Sequence, residues 1–227
     1  MLAGTFVPDY SPKFGNTLIN WRPDYIICRG LGCVKTDPSI QIETCPGVYA
    51  PAEDSFLLLS AVRVSEGQHV LEMGCGTGMI ALHCAKAGCR VTAADISQDA
   101  VENARMNAAM NSLDLDVVRS DLFGNVRGKF DVIIFNPPYL SSRGSECLSG
   151  QEKQPLVGGE GGHEISVLFL EQAKAHLAEA GIIYLLTSSE SEAGVLERAG
   201  EMFSAKKVAE KRIFFETLAV HEMKMVK

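Results

Sequence analysis

The chain has 227 residues, enough for one good hydrophobic core and a small appendage. Its 46% hydrophobic and 22% charged residues are ordinary for a globular protein, and its formal charge of −7 argues against the broad basic face of a nucleic-acid-binding protein. No apolar run approaches the roughly 18 residues of a membrane span, and the first residues lack both regions of a signal peptide. These properties predict a cytoplasmic protein that contacts neither a membrane nor, directly, a nucleic acid.

The seven cysteines do not predict a disulfide framework. Their number is odd and they include no CxxC motif. Cys28 and Cys33 could begin a zinc site, but no second closely spaced pair follows them. We therefore expect no metal in this chain.

Two parts of the chain differ in how often proline interrupts them. Residues 1–45 are repeatedly interrupted by proline and predict an irregular extension that packs on the main domain. Residues 46–227 predict a single domain in which strands and helices alternate. Its first helix opens at Pro51-Ala52-Glu53-Asp54, where acidic residues favour a helix amino terminus.

The alternation continues to the end of the chain. We predict strands near residues 69–73, 90–95, 115–118, 130–135 and 182–186, and helices near residues 80–85, 97–110, 165–179 and 192–203. Ser97 caps the second of these helices and Gly181 stops the third. Two final strands, near 206–212 and 215–222, should be antiparallel because too few residues separate them for a helical crossover. This order predicts an α/β fold with a doubly wound, mostly parallel, Rossmann-like sheet of seven strands and a closing antiparallel hairpin.

A glycine-rich turn follows the first strand of the sheet. It reads Glu72-x-Gly74-x-Gly76-x-Gly78, and glycines let the backbone turn sharply and approach a ligand beside free helix N–H groups. Met79 stands where a dinucleotide fingerprint would have its third glycine. The spacing instead resembles the first motif of class I S-adenosylmethionine (SAM) methyltransferases, although a plain strand-to-helix turn would also use glycines.

Acidic residues follow the next two strands. Asp95 ends the second strand, where a carboxylate can accept hydrogen bonds from both hydroxyls of a ribose. Asp121 and Leu122 follow the third strand, where such enzymes hold the adenine ring and its amino group. Taken with the glycine turn, these positions predict a SAM site at one edge of the sheet, with S-adenosylhomocysteine as product.

The fourth strand stops at Asn136-Pro137-Pro138-Tyr139. Proline cannot donate to a strand ladder and holds the preceding residue extended, so the segment forms a stiff elbow at a strand's carboxyl end. The Asn136 side-chain oxygen and the Pro137 carbonyl can accept both N–H groups of a planar NH2, while Tyr139 can stack on it. Accepting both hydrogens raises the electron density on nitrogen and orients its lone pair. The elbow predicts an amino-group methyltransferase that requires neither a dedicated base nor a metal.

Several motifs in order resemble the HemK/PrmC enzymes, which methylate the glutamine amide of the Gly-Gly-Gln motif in class I peptide-chain release factors. They are the Tyr-x-Pro-Ala-Glu-Asp-Ser stretch beginning at Tyr49, the Glu72 turn, the Asn136 elbow and the glycine-rich stretch from Gly158 to Glu164. The resemblance covers about residues 46–222 and is to the eukaryotic and archaeal branch.

The resemblance implies a set of site residues and a partner. The implied SAM contacts are Ser55, Glu72, Gly74, Asp95, Asp121, Leu122 and Asn136, with Asn136 also holding the glutamine. It further implies a release factor as substrate and a small zinc-binding activator protein that covers an apolar edge of the sheet.

Two departures and two alternatives stay open. Glu160 and His163 stand where the family carries basic residues, which leaves substrate docking at that loop open, and the first 45 residues are longer than usual. The same elbow occurs in enzymes that methylate adenine or guanine amino groups in DNA or RNA, although these usually add a recognition domain or a basic face. The other alternative is a protein of this fold that has lost catalysis, which the intact glycine turn and Asn136 argue against.

Overall fold

The computed structural model describes residues 34, 36–139, 160–213 and 216–226, together with the backbone of two short strands, β1 (Lys13–Phe14) and β2 (Thr17–Leu18). These two strands pair antiparallel. Within the described residues no helix is long and apolar enough to cross a membrane, and no three His, Cys, Asp or Glu side chains converge as metal ligands. The candidate zinc residues Cys28 and Cys33 lie outside the described part of the chain.

The remaining elements alternate along the chain as predicted. In order they are α1 (Glu53–Ala61), β3 (His69–Met73), α2 (Met79–Lys86), β4 (Arg90–Asp95), α3 (Gln98–Met110), β5 (Asp116–Arg119), β6 (Phe130–Phe135), α4 (Glu164–His176), β7 (Leu177–Ser188), α5 (Glu192–Ala199), β8 (Phe203–Ile213) and β9 (Glu216–Met225). The Ser97 cap is confirmed, since its hydroxyl accepts a hydrogen bond from the Ala100 N–H at 3.4 Å.

The seven longer strands form one sheet in the order β5-β4-β3-β6-β7-β9-β8. Strands β3 to β7 are parallel, and β9 runs antiparallel to both β7 and β8. The predicted doubly wound sheet with a closing antiparallel pair is therefore confirmed. The insertion of β9 between β7 and β8 was not predicted. The strand order reverses direction at β3, which leaves a crevice outside the carboxyl ends of β3, β4 and β6.

Helices cover both faces of the sheet. In β6, Val132 and Ile134 join the core under α1, α2 and α3, while Ile133 and Phe135 join the core under α4 and α5. Successive side chains of a strand point to opposite faces, so a continuous apolar run is what a strand buried on both faces requires. This burial holds the end of β6 rigidly in the middle of the sheet.

Two predicted helix ends are wrong. Helix α4 ends at His176, and Gly181 lies inside β7 rather than stopping the helix. Leu177 is fully buried and pairs with Phe130, so packing against the sheet draws the chain out of the helix earlier than the glycine signal indicated. Helix α5 similarly ends at Ala199, because Phe203 is 1% exposed and already belongs to β8.

Within the described part of the proposed extension, residues 41–45 lie along α3, to which their backbone is hydrogen-bonded. The boundary at residue 45 stays a prediction.

Candidate active site

A cavity of about 490 Å³ opens at the carboxyl ends of β3, β4 and β6. This volume lies in the range of small-molecule sites. The predicted residues that line it are Ser55, Glu72, Gly74, Gly76, Asp95, Asp121, Leu122, Asn136, Pro137, Pro138 and Tyr139. The structure therefore brings together groups that are far apart in sequence, at the edge where ligands bind in open α/β sheets.

The glycine turn depends on a left-handed backbone. Gly74, Gly76 and Gly78 have φ values of 63°, 52° and 76°, a region that side chains rarely adopt. A Cβ on Gly78 would lie 3.1 Å from the Cβ of Ala104, so this glycine allows α3 to pack against the start of α2. Gly78 does not itself line the cavity, unlike Gly74 and Gly76.

Glu72 holds the helix that follows the turn. Its Oε2 accepts a hydrogen bond from the Ala81 N–H at 2.7 Å, in the first turn of α2, and its side chain is 5% exposed. Burial raises the pKa of Glu72 to about 8, opposed by the Ala81 hydrogen bond. Its geometry is that of a residue that positions the turn beside the cavity.

Asp95 ties the end of β4 to the same turn. Its two oxygens accept hydrogen bonds at 2.9 Å from the N–H groups of Gly76 and Ser97. Burial raises the pKa of Asp95 above its usual value, and these hydrogen bonds oppose the shift. A carboxylate accepts about four hydrogen bonds, so Asp95 keeps capacity for a ligand's hydroxyl groups.

The turn after β5 places Asp121 and Leu122 at the other side of the cavity. The Ser120 hydroxyl donates to the Leu122 carbonyl at 2.6 Å and accepts from the Asn125 N–H at 2.9 Å. These bonds fold the turn tightly, and Leu122 has a φ of 41°. Asp121 is exposed and faces solvent as well as the cavity.

The elbow after β6 presents an unpartnered oxygen. Asn136 Nδ2 donates a hydrogen bond to Asp54 Oδ2 at 3.1 Å, whereas Asn136 Oδ1 is buried and has no hydrogen-bond partner among the residues that the structure describes. Asp54 Oδ2 accepts every hydrogen bond that reaches it, so it faces the nitrogen end of the Asn136 amide and fixes the direction of the oxygen. A buried acceptor without a partner is costly, and it marks a position where a donor from a ligand would be stabilised.

Asp54 is the residue of this site that sequence reasoning missed. It is 3% exposed, and its Oδ2 also accepts from the hydroxyls of Tyr49 and Tyr139, at 3.1 and 3.4 Å. Burial, together with the Asp54 carboxylate, raises the pKa of both tyrosines, which therefore stay protonated as donors. The sequence signal was ambiguous, because an acidic residue in the first turn of α1 is explained by the helix dipole alone.

The glycine-rich loop before α4 is described only from Glu160 onward, so the predicted Gly158 and Gly159 lie outside the described residues. Glu164 accepts hydrogen bonds from the N–H groups of Gly161 and His163, which hold its pKa below the usual range. A Cβ on Gly194 would lie 2.8 Å from the His163 ring, so His163 packs against the start of α5. The departure at His163 thus has a packing role.

The residues that line the cavity fit the chemical groups of SAM. The left-handed glycines let the backbone approach a ligand closely, and Asp95 can accept hydrogen bonds from ribose hydroxyls. Residues of this chain supply all of these features. The residues present are therefore compatible with SAM as the methyl donor.

The sequence is similar to known methyltransferases. The family model described as Methyltransferase small domain matches residues 39–152. A putative protein N5-glutamine methyltransferase of Methanocaldococcus jannaschii is 41% identical over 66% of this chain and 77% of that protein. The release factor glutamine methyltransferase of Streptococcus pneumoniae is 39% identical over 51% of this chain and 44% of its own length. The predicted resemblance to glutamine methyltransferases of the HemK/PrmC type is confirmed by these relatives.

A nucleic-acid enzyme is also similar. The ribosomal RNA small subunit methyltransferase C of Salmonella arizonae is 42% identical over 43% of this chain and 30% of that protein. The chain therefore spans less than half the length of this relative and of the streptococcal one.

Solved structures share the fold. A methyltransferase from Pyrococcus furiosus has a TM-score of 0.64 and 26% identity, covering 82% of this chain and 90% of that one. The Mtq2-Trm112 complex of E. cuniculi has a TM-score of 0.62 and 24% identity, covering 79% of this chain and 99% of that chain, a likeness that shows the fold alone. Together with the family match and the cavity, these findings show that the chain belongs to the Methyltransferase small domain family and is a class I SAM-dependent methyltransferase.

Proposed function

We propose that this enzyme transfers the methyl group of SAM to the side-chain amide nitrogen of the glutamine in the Gly-Gly-Gln motif of a class I release factor. The observation that carries the proposal is the Asn136 amide: Asp54 holds its nitrogen, while its buried oxygen has no partner in the described part of the chain. The glutamine-methyltransferase names of similar proteins from M. jannaschii and S. pneumoniae support the choice of acceptor.

The elbow suits a planar NH2 group. In this proposal Asn136 Oδ1 accepts one N–H of the glutamine amide and the Pro137 carbonyl accepts the other. The rings of Pro137 and Pro138 fix their φ angles, and neither residue has an N–H that could donate a competing hydrogen bond. Both acceptors therefore keep their directions before the substrate arrives, which lowers the entropy lost on reaching the reactive geometry.

The chemical difficulty is the weak nucleophilicity of an amide nitrogen, whose lone pair is delocalised. Accepting hydrogen bonds from both of its N–H groups increases the electron density on the nitrogen and keeps its lone pair directed toward the methyl group of SAM. SAM supplies a methyl group on a positively charged sulfur. Forming the N–C bond would break the methyl–sulfur bond and release S-adenosylhomocysteine. The methylated nitrogen would be strongly acidic, so its proton can leave to solvent without a dedicated base.

The residues at the cofactor end have separate roles in the proposal. Asp95 accepts from the ribose hydroxyls, and Asp121 and Leu122 flank the adenine. Gly74 and Gly76 let the backbone approach the cofactor closely. Ser55 lies on α1 beside Asp54, with its hydroxyl 3.1 Å from Asp54 Oδ1, and completes the cofactor wall.

Nucleobase methylation is the second candidate. Its specific support is the 42% identity to the rRNA enzyme of S. arizonae, and the same elbow could hold an exocyclic amine. The 28 acidic residues outnumber the 21 basic ones, which disfavours a phosphate-binding face. We therefore place glutamine first.

We also propose a small zinc-binding activator protein as partner, on the family resemblance. The relevant feature of this chain is β5, which pairs with β4 alone among the described strands and so leaves one edge of the sheet open. In E. cuniculi, the Mtq2-Trm112 complex is responsible for methylation of the eRF1 translation termination factor. An open strand edge is a surface on which a second protein can add a strand.

The test is transfer of labelled methyl from SAM to the cognate release factor, with and without the small zinc protein. The matched control is a release factor in which the motif glutamine is replaced, and ribosomal RNA and DNA are offered in parallel. We expect label only in the release factor that retains the glutamine. Label that persists after the replacement, or that enters only nucleic acid, overturns the proposal.

A further inference from the structure

A ladder of asparagines connects an extended segment to the SAM-binding turn. Residues 41–49, called the strap here, run beside α3. The helix carries Asn103 and Asn107, and Asn111 is its C-cap, so the three asparagines lie at four-residue spacing. Four residues of helix rise about 6.0 Å and two residues of extended chain about 6.6 Å, so alternate strap residues meet successive asparagines. The mutual spacing explains why the contacts repeat.

Each asparagine uses both ends of its amide on the strap backbone. Asn103 accepts from the Cys45 N–H at 2.8 Å and donates to the Glu43 carbonyl at 2.8 Å. Asn111 accepts from the Gln41 N–H at 2.8 Å and donates to its carbonyl at 2.7 Å. These bonds go to main-chain atoms, so the ladder holds the path of the strap rather than its side chains.

Asn107 makes one contact that the other two do not. Its oxygen accepts from the Glu43 N–H at 3.0 Å, and its nitrogen donates at 2.9 Å both to the Glu43 carbonyl and to the Thr77 carbonyl. Thr77 lies between Gly76 and Gly78 in the SAM-binding turn and lines the cavity. The Asn107 side chain is fully buried, so these bonds are not shared with solvent.

The far end of the strap forms part of the same cavity. Gly47, Val48 and Tyr49 line it, and the Tyr49 hydroxyl donates to Asp54. The strap therefore forms one wall of the SAM site, and Asn107 joins the strap at Glu43 to the glycine turn at Thr77.

We propose that Asn107 is a positioning residue for SAM binding, which ties the glycine turn at Thr77 to the strap at Glu43. Docking of the strap and binding of SAM then stabilise each other. Such coupling is reciprocal. Undocking the strap therefore weakens SAM binding by the same factor by which bound SAM favours the docked strap. The inference concerns cofactor binding and does not depend on the identity of the methyl acceptor.

The first test compares Asn107→Ala with Asn111→Ala. Both remove strap bonds, but only Asn107→Ala also frees the Thr77 carbonyl. We expect the SAM dissociation constant, measured by calorimetry, to rise about tenfold for Asn107→Ala and less than about twofold for Asn111→Ala. In hydrogen exchange, SAM should protect strap amides in the wild type and in Asn111→Ala but not in Asn107→Ala.

A kinetic measurement separates positioning from general damage. For Asn107→Ala we expect the KM for SAM to rise while kcat at saturating SAM stays within about twofold of the wild type. Unchanged SAM affinity in Asn107→Ala, or an equal loss in Asn111→Ala, overturns the inference.

A second pair of variants decides the matter if Asn107→Ala does not fold. Glu43→Pro removes the N–H that Asn107 accepts, whereas Glu43→Ala keeps it, and both delete the same exposed side chain. We expect SAM affinity to fall about three- to tenfold for Glu43→Pro and to be unchanged for Glu43→Ala. Equal affinities in the two variants overturn the inference.

Discussion

The two ends of the cavity are built in different ways. At the cofactor end, the chain offers a glycine turn with φ values of 63° and 52° at Gly74 and Gly76, held by carboxylates on backbone N–H groups. At the acceptor end, it offers a buried network of side chains in which Asp54 contacts Tyr49, Tyr139 and the Asn136 amide. The first end is mainly backbone shape, and the second is side-chain chemistry.

This difference implies that binding and transfer are separable. A change at Asn136 should leave the glycine turn, and therefore most of the SAM affinity, intact. A change in the turn should weaken SAM binding while the acceptor network keeps its geometry.

Asn136→Ala should have the largest effect on transfer. It removes the oxygen that is proposed to accept an N–H of the substrate, and loss of one such group costs roughly 100- to 1000-fold in kcat. SAM affinity should stay within about threefold, because most proposed cofactor contacts lie on other residues. Single-turnover kinetics and calorimetry measure the two quantities, and joint loss of both would show that Asn136 mainly binds SAM.

Asp54→Ala should have the next largest effect. Without the carboxylate, the Asn136 amide can rotate so that its nitrogen, instead of its oxygen, faces the substrate amide. We expect kcat to fall roughly 10- to 100-fold at saturating SAM. Glu53→Ala is a matched control, since Glu53 is the adjacent acid in α1 and makes an exposed ion pair with Lys211 at 3.3 Å. Equal rates for the two variants would contradict the orienting role of Asp54.

Gly78→Ala should act on the cofactor end. It adds a Cβ at a φ of 76° and 3.1 Å from the Ala104 Cβ, which displaces α3 from the start of α2. We expect SAM affinity to fall about tenfold. We also expect the unfolding free energy to fall by roughly 1–2 kcal/mol, because alanine is strained in a left-handed backbone conformation.

Gly67→Ala is its control, because Gly67 has a φ of 82° with nothing within 4 Å of the added Cβ. This variant should lose a similar backbone contribution to stability and keep its SAM affinity. Equal SAM affinities in the two variants would show that packing at Gly78 does not shape the cofactor site.

Glu72→Gln should have the smallest effect on transfer and a clear effect on pH dependence. Burial raises the pKa of Glu72 from 4.5 to about 8, so between these values the folded protein holds a proton that the unfolded chain releases. The unfolding free energy contributed by Glu72 therefore falls as pH rises through this window. Glutamine can still accept from Ala81 and does not titrate.

Denaturant unfolding measures that difference. At about pH 5 the two proteins should differ little, and at about pH 9 Glu72→Gln should be the more stable, by roughly 2–4 kcal/mol. The Asp95 charge also raises the pKa of Glu72, so the measured difference includes the repulsion between these two acids. A difference that is independent of pH would contradict the raised pKa.

Local signals predicted most of the fold and the cofactor end. Apolar runs marked the buried strands, glycine marked the turn after β3, and the prolines after Asn136 marked the elbow. The helix end predicted from Gly181 is wrong, because the burial of Leu177 in the sheet outweighs the tendency of glycine to end a helix. Such an override depends on tertiary packing, which a single segment does not contain.

The acceptor network and the strap could not be predicted, for a physical reason. Asp54 meets Asn136 across 82 positions of sequence, and Asn107 meets Glu43 across 64. Each residue has an ordinary local explanation, Asp54 as a helix-dipole partner and Asn107 as a polar residue on a helix. Asp54 and Asn136 both line the cavity, and Asn107 contacts Thr77, which also lines it; only the folded sheet brings these residues together.

The most direct test of the central claim is to locate the transferred methyl group by tandem mass spectrometry of the treated release factor. The account predicts one methyl on the side-chain nitrogen of the Gly-Gly-Gln glutamine, present with the wild-type enzyme and absent with Asn136→Ala. A methyl on any other residue, or on that glutamine with equal yield from Asn136→Ala, would contradict it.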